Sequence, residues 1–257
     1  AQAEASLPQV ASIPPSMAQM TDVEVQLAGA LGSACFAFML VPQFALNARL
    51  QSTSGMSLGM VVLWHLASLL AAPYYALSLP SSAYALLSYG SCAFVCCLIE
   101  GQVYAYGRKA EGQKGLGRDL FVGSAVVILA SLGAGVALSL AFDSLPGGLA
   151  DSLGSTGPSL LLGAGFFPQI YTFLSTQSVH GYSFGVTALD IVGSAANTAA
   201  LLKPGVPFRA VLPEAAPFLT IIGMHCVLVT IAVVLSCCRP WLDAANVKVD
   251  DEEVGNV

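Results

Sequence analysis

Apolar blocks of about 20 residues recur along the whole chain, and 20 residues of α-helix are what it takes to cross the hydrocarbon core of a bilayer. The blocks fall near residues 24–45, 57–79, 83–106, 119–142, 157–175, 183–202 and 214–238. Between them lie turn-forming strings such as Gln51-Ser52-Thr53-Ser54-Gly55, Leu79-Pro80-Ser81-Ser82 and Lys203-Pro204-Gly205, and the stretches 108–117 and 144–154. These continue neither a helix nor a strand. Only 9% of the residues are charged, against about 25% in a soluble domain, so several helices rather than one anchor must sit in lipid. A transmembrane β-barrel would need segments of about ten residues alternating in polarity, and no such alternation is visible. The expected class is all-α and multi-pass, with seven transmembrane helices and the lipid bilayer as first partner.

Orientation follows from the nine Lys and Arg, because basic residues near membrane ends stay on the cytoplasmic side. Arg49, Arg108, Lys109, Lys114, Arg118, Arg239 and Lys248 fall on one side of the predicted topology, and Lys203 and Arg209 on the other. The carboxyl end is therefore expected in the cytosol and the amino end in the lumen or exterior. The first 22 residues read as a flexible lumenal segment and 239–257 as an acidic cytosolic tail, whose Asp250-Asp251-Glu252-Glu253 run suggests a solvated, unstructured stretch. A start at Ala1 rather than Met fits a removed targeting segment as well as a trimmed chain. The cysteines lie almost entirely inside apolar blocks, with no C-x-x-C pair and no histidine at zinc spacing. No metal, no cofactor and no nucleic acid is expected.

A shift of 126 residues aligns two stretches without a gap. Pro42-Gln43 falls on Pro168-Gln169, Gln51-Ser52 on Gln177-Ser178, Gly55 on Gly181, Ser57 on Ser183, Gly59 on Gly185, Leu63 on Leu189 and Ser68 on Ser194. Between 42–59 and 168–185 seven of eighteen positions are identical, where chance gives about one or two. An internal repeat fixes architecture ahead of any motif. The offset contains four crossings, so the copies run parallel: a first three-helix bundle at 23–106 and a second at 157–238. A cytosolic loop at 107–118, linker helix 4 at 119–142 and a lumenal loop at 143–156 join them. Ser131, Gly135 and Ser139 on the linker recur every four residues, a pattern that lets membrane helices approach closely. Each proline removes an N–H and frees a carbonyl one turn earlier, tolerable in a membrane only beside protein or water. Pro42, Gln43, Pro168 and Gln169 are thus candidate paired hinges.

The runs Val41-Pro42-Gln43 to Asn47, Gln51-Ser52, Gly55 and Ser57, and Phe167-Pro168-Gln169 to Gln177-Ser178, Gly181, Ser183 and Asp190, resemble the two motifs of the PQ-loop transporters. That family includes cystinosin and the lysosomal or vacuolar exporters of cationic amino acids, and is related in fold to the SWEET sugar carriers. The resemblance implies two three-helix bundles around a central route, rocking at the Pro-Gln kinks, in a lysosome- or vacuole-type endomembrane. It also implies proton coupling through an acid on the second helix of the second repeat, the position of Asp190. The amino-acid exporters follow Leu-Trp with Gly-Asp on the second helix. Leu63-Trp64 is present here, but Ala67-Ser68 replaces the pair, and the missing carboxylate tells against cationic amino acids.

Asp190 lies about seven residues into its helix, roughly 10 Å deep, too far for a short side chain to reach the interface. Its charge must face the bundle interior, be neutralised, or meet a cation. Ser183, Ser194 and Asn197 share its helical face. The equivalent stripe in the first repeat carries Ser57, Trp64 and Ser68, with His65 beside it, so one copy offers an aromatic wall and the other an acid. Trp64, Ser68, Ser194 and Asn197 are the candidate substrate residues. Asp190, Glu100 and His65 are the candidate proton-coupling groups, although a lone histidine on an apolar helix packs as readily as it titrates. Glu100 lies within two turns of Arg108 and is placed to reach toward it. His225 is a further polar group on the last helix. The expected function is a carrier, proton-coupled or facilitative, for a small polar solute such as an amino acid, running alone or as a homo-oligomer. The alternative is a non-transporting subunit or scaffold of a larger membrane complex. One version is a pigment-binding photosynthetic assembly in a plastid membrane, with His65, Glu100 and His225 as axial ligands of pigment magnesium. An enzyme is not expected, since no nucleophile-base pair or phosphate loop is present and the loops are short.

Overall fold

The computed structural model describes residues 21–77, 83–202 and 207–254. The first twenty residues of the expected flexible lead, and the turns at Pro80 and Pro204 with Lys203, lie outside the described residues. Helix α1, Asp22–Phe38, opens on a capping box: the Thr21 hydroxyl accepts from the Glu24 N–H at 3.3 Å and the Glu24 carboxylate accepts from the Thr21 N–H at 2.6 Å. Two donors of the first turn are satisfied this way. After a two-residue break the chain resumes as α2, Val41–Leu50, with Pro42 in its first turn, where a missing N–H costs nothing. There follow α3 (Leu58–Leu77), α4 (Ala83–Ala110), α5 (Leu116–Ser144), α6 (Gly147–Asp151) with a π turn at Ser152–Thr156, α7 (Gly157–Thr176), α8 (Phe184–Leu201) and α9 (Phe208–Val254).

Six of these segments are long and apolar enough to cross a membrane: α1 with α2, α3, α4, α5, α8 and α9. The seventh expected span, α7, has 20 residues, but its Pro-Gln pair and the hydroxyls of Ser159, Thr172, Ser175 and Thr176 dilute its apolar character. It nevertheless packs as α1 and α2 do. In the first bundle α4 lies against both α1 and α3, and in the second α9 lies against both α7 and α8. Across the seam α1 packs on α8 and α3 on α7, the pairing a pseudo-twofold axis between parallel copies demands. The acidic run does not produce an unstructured tail, since α9 continues as helix to Val254. No Gly or Pro interrupts it after Pro240, and Ala and Glu are good helix formers.

The core lies on the seam. Trp64 of α3 meets Phe166 of α7 edge to face, with centroids 5.5 Å apart, and donates its indole N–H to the Leu162 carbonyl at 3.1 Å. A Cβ at Gly165 would stand 2.6 Å from that indole, so only glycine lets the ring in.

The linker α5 packs on α4 and α3, with Phe121, Leu129, Leu132, Val136 and Leu140 exposed on its outer face. The close approach expected at Gly135 is absent, as nothing lies within 4 Å of a Cβ built there. It occurs instead at Gly101 and Gly123, where Gly101 faces Ser124 and a Cβ at Gly123 would sit 2.9 Å from the Tyr104 ring. The hydroxyls of the predicted stripe bond inward: Ser131 donates to Val127 O and Ser139 to Gly135 O.

Candidate functional site

At one end of the molecule the two Pro-Gln motifs hold the loops of the opposite repeat. Helices α2 and α7 both stop at a glutamine in left-handed conformation, Gln51 at φ 52° and Gln177 at φ 49°. Their amides fold back onto Ala48 O and Leu174 O, again 126 positions apart. The chains then turn into α3 and α8 through Gly55 and Gly181, which meet backbone to backbone, and a Cβ at Gly55 would strike the Gly181 main chain. Onto this contact close two buried amides. Gln43 donates from Nε2 to Gly181 O at 2.8 Å and accepts at Oε1 from Ser183 N at 2.7 Å. Gln169 donates to Gly55 O at 3.2 Å and accepts from Ser57 N at 2.8 Å. Pro42 packs against Gly185 and Pro168 against Gly59. A cross-repeat clamp is thus built from the residues that the repeat holds identical, Gly55 with Gly181 and Ser57 with Ser183. Ser183, expected on the stripe with Asp190, belongs to this clamp.

From the level of Trp64 and Asp190 a cavity of about 1190 Å³ extends toward the opposite end, reaching Tyr75, Thr156 and Leu201 at the helix termini. Trp64, Asp190 and Asn197, three of the predicted residues, line it. Ser68 and Ser194, equivalent in the repeat, are fully buried with hydroxyls that find no partner, and neither lines the cavity. Asp190 is 2% exposed. Its Oδ2 lies 2.6 Å from Nε2 of His225, a separation that requires a shared proton. Oδ1 of Asp190 and Nδ1 of His225 are both buried without a partner. Phe166 and the His225 ring meet edge to face, with centroids 4.7 Å apart.

Glu100 does not reach Arg108. Its Oε1 lies 2.9 Å from Nδ1 of His65, while Arg108 bonds Tyr104, Gln113 and Asp119. Arg108 lies two turns further along α4, out at the helix end, whereas His65 stands at the same depth across the α3/α4 contact. Nε2 of His65 faces Ser131 of α5 at 3.0 Å and Cys97 at 3.5 Å, so this pair looks toward the linker and is not among the cavity-lining residues. Both pairs join residues 35 apart, His65 to Glu100 and Asp190 to His225. That shared spacing was a signal in the sequence for the partnership of Asp190 with His225. Also missed were Asn47 and Gln102, which extend the Gln43 side of the clamp: Gln43 Nε2 donates to Asn47 Oδ1 at 2.7 Å, Asn47 Nδ2 to Gln102 Oε1 at 3.0 Å, and Gln102 Nε2 to Phe44 O at 3.0 Å. The prolines also differ, since Pro42 begins a separate helix and Pro168 lies within a continuous one.

The PQ loop repeat family model matches residues 25–81 and 155–203, the first two helices of each bundle. No curated protein and no solved structure matches the chain. Two matched segments, each bearing one half of the reciprocal glutamine clamp, mark the chain as an all-helical membrane protein built on two PQ-loop repeats, a repeat whose family includes membrane transporters and related proteins.

Proposed function

We propose that the chain is a carrier that moves a small organic solute by alternating access, with proton coupling through Asp190 and His225. The observation that carries this reading is a hydrogen-bonded carboxylate–imidazole pair at the inner end of a mid-membrane cavity, on the far side of which the clamp seals the route. Hydrogen-bonded amides and glycine contacts can separate without leaving a charge behind, as a gate between rocking halves must. Arg49, Arg108, Lys109, Lys114 and Arg118 lie at the clamped end, so this conformation has its cytosolic side shut and its lumenal side accessible. A lysosome- or vacuole-type membrane suits such a proton-driven exporter. Both ring nitrogens of His65 are already engaged, which weighs against its serving as a pigment ligand. In proteoliposomes with an imposed pH gradient, Asp190→Asn is expected to abolish pH-driven uptake. Undiminished proton-driven transport by that variant would overturn the assignment.

A further inference from the structure

The lining of the cavity constrains its occupant more narrowly than the carrier reading does. Among the described lining residues Asp190 is the only charged one, and none is Lys, Arg or His. The rings of Phe36, Trp64, Tyr89 and Phe218 line the same cavity, Phe36 stacked on Phe218 with centroids 6.0 Å apart. Nε2 of His225 takes up Oδ2 of Asp190, while Oδ1 of the same carboxyl group is buried and lacks a donor. A buried acceptor without a partner is costly, and a donor that carries positive charge relieves it best.

Resting on the carrier reading, we infer that the solute is an organic cation headed by a primary ammonium on an apolar, ring-sized body, rather than a zwitterionic amino acid. The ammonium donates to Asp190 Oδ1, and the aromatic rings face both the cation and its apolar body. A zwitterion would bring a second carboxylate into a cavity whose described lining residues include no basic one to receive it, beside a carboxylate already there, and that burial is unfavourable.

Four probes that share a phenyl ring separate these cases: phenethylamine, 2-phenylethanol, phenylalanine and phenylacetate. The chain has two tryptophans, so Trp241→Phe leaves Trp64, inside the cavity, as the only indole and a fluorescence reporter of occupancy. With that protein in nanodiscs at neutral pH, phenethylamine is expected to bind at least about tenfold more tightly than 2-phenylethanol, the range of one charge-assisted hydrogen bond. Phenylalanine should bind more weakly than the amine, and phenylacetate should not register. Asp190→Asn should bring the amine down to the level of the alcohol while leaving the alcohol unchanged. If that variant no longer binds the alcohol, Asp190→Glu decides: retained amine preference supports the assignment and lost preference overturns it. Phenylalanine or phenylacetate binding as well as the amine would overturn it, as would an amine preference that survives Asp190→Asn, or no binding of any probe. Amine that binds but is not accumulated by proteoliposomes would end the carrier reading and leave the ligand class standing.

Discussion

At positions 126 apart, the first bundle has Trp64, Asn47 and Gln102 where the second has Asp190, Phe173 and Leu228. The clamp itself is shared, each glutamine bonding a carbonyl and an N–H of the other repeat, but what stands behind it is not. Gln43 is tied through Asn47 to Gln102 on α4, whereas Gln169 stands on the α7 helix that carries Phe173, fully buried in apolar surroundings. Each bundle has one imidazole–carboxylate pair, at positions the repeat does not match: the first faces Ser131 of the linker, and the second presents Asp190 to the cavity. Duplication therefore preserved the contacts that need two copies, because each half of the clamp requires the other half's loop. The contacts made within one copy are not matched: one pair has its carboxyl group on the cavity, and the other joins α3 and α4 to Ser131 of α5.

This division can be broken most directly at the two acids. Asp190→Asn is expected to reduce pH-driven uptake to the level of empty vesicles, and Glu100→Gln to leave the pH dependence in place while lowering thermal stability, since His65 then loses its carboxyl partner. Equal loss of coupling in the two variants, measured in the same proteoliposomes, would mean that the outward pair is also part of the proton route. A smaller contrast is expected at the clamp. Gln43→Leu leaves Gly181 O, Ser183 N and Asn47 Oδ1 without a partner and should cost about 3 kcal/mol, and Gln169→Leu, which strands Gly55 O and Ser57 N, about 2 kcal/mol. Thermal unfolding of the two variants in nanodiscs checks the order. A larger loss at Gln169 would show that the network behind Gln43 does not stiffen its side.

Much of this was legible in the sequence, and what was not shares one cause. The helices, the duplication and the depth of Asp190 follow from local pattern: block length, fixed offset, and distance along a helix. The identities Gly55/Gly181 and Ser57/Ser183 were visible too, but their purpose was not, because the glutamines that use them lie 138 to 140 residues away for one half and 112 to 114 for the other. Glu100 was read toward Arg108, its neighbour along the helix, since a single sequence favours partners on the same element. The partner it found stands on α3 at the same depth. Ser183 was placed on the Asp190 stripe by helical period, yet it lies just before α8 begins and its N–H is taken by Gln43. The small residues of α5 matched a close-packing pattern, but that pattern does not say which neighbour arrives. Gly135 faces open space and the tight contact forms at Gly101.

The finest test of the comparison makes the first bundle resemble the second. Asn47→Leu alone strands Gln102 Oε1, and Gln102→Leu alone strands Asn47 Nδ2, both in buried surroundings. Each single variant should lower the unfolding midpoint, because a buried polar group without its partner costs more than the bond was worth. The double variant removes these two orphans, leaving only the Gln43 Nε2 hydrogen that Asn47 had accepted, and gives this site the apolar character of Phe173 and Leu228. It should recover part of the loss, with a coupling of about 1 kcal/mol between the two positions. Strict additivity would show that Asn47 and Gln102 act on Gln43 independently. The asymmetry of the two bundles would then lie in the prolines, one of which breaks its helix while the other does not.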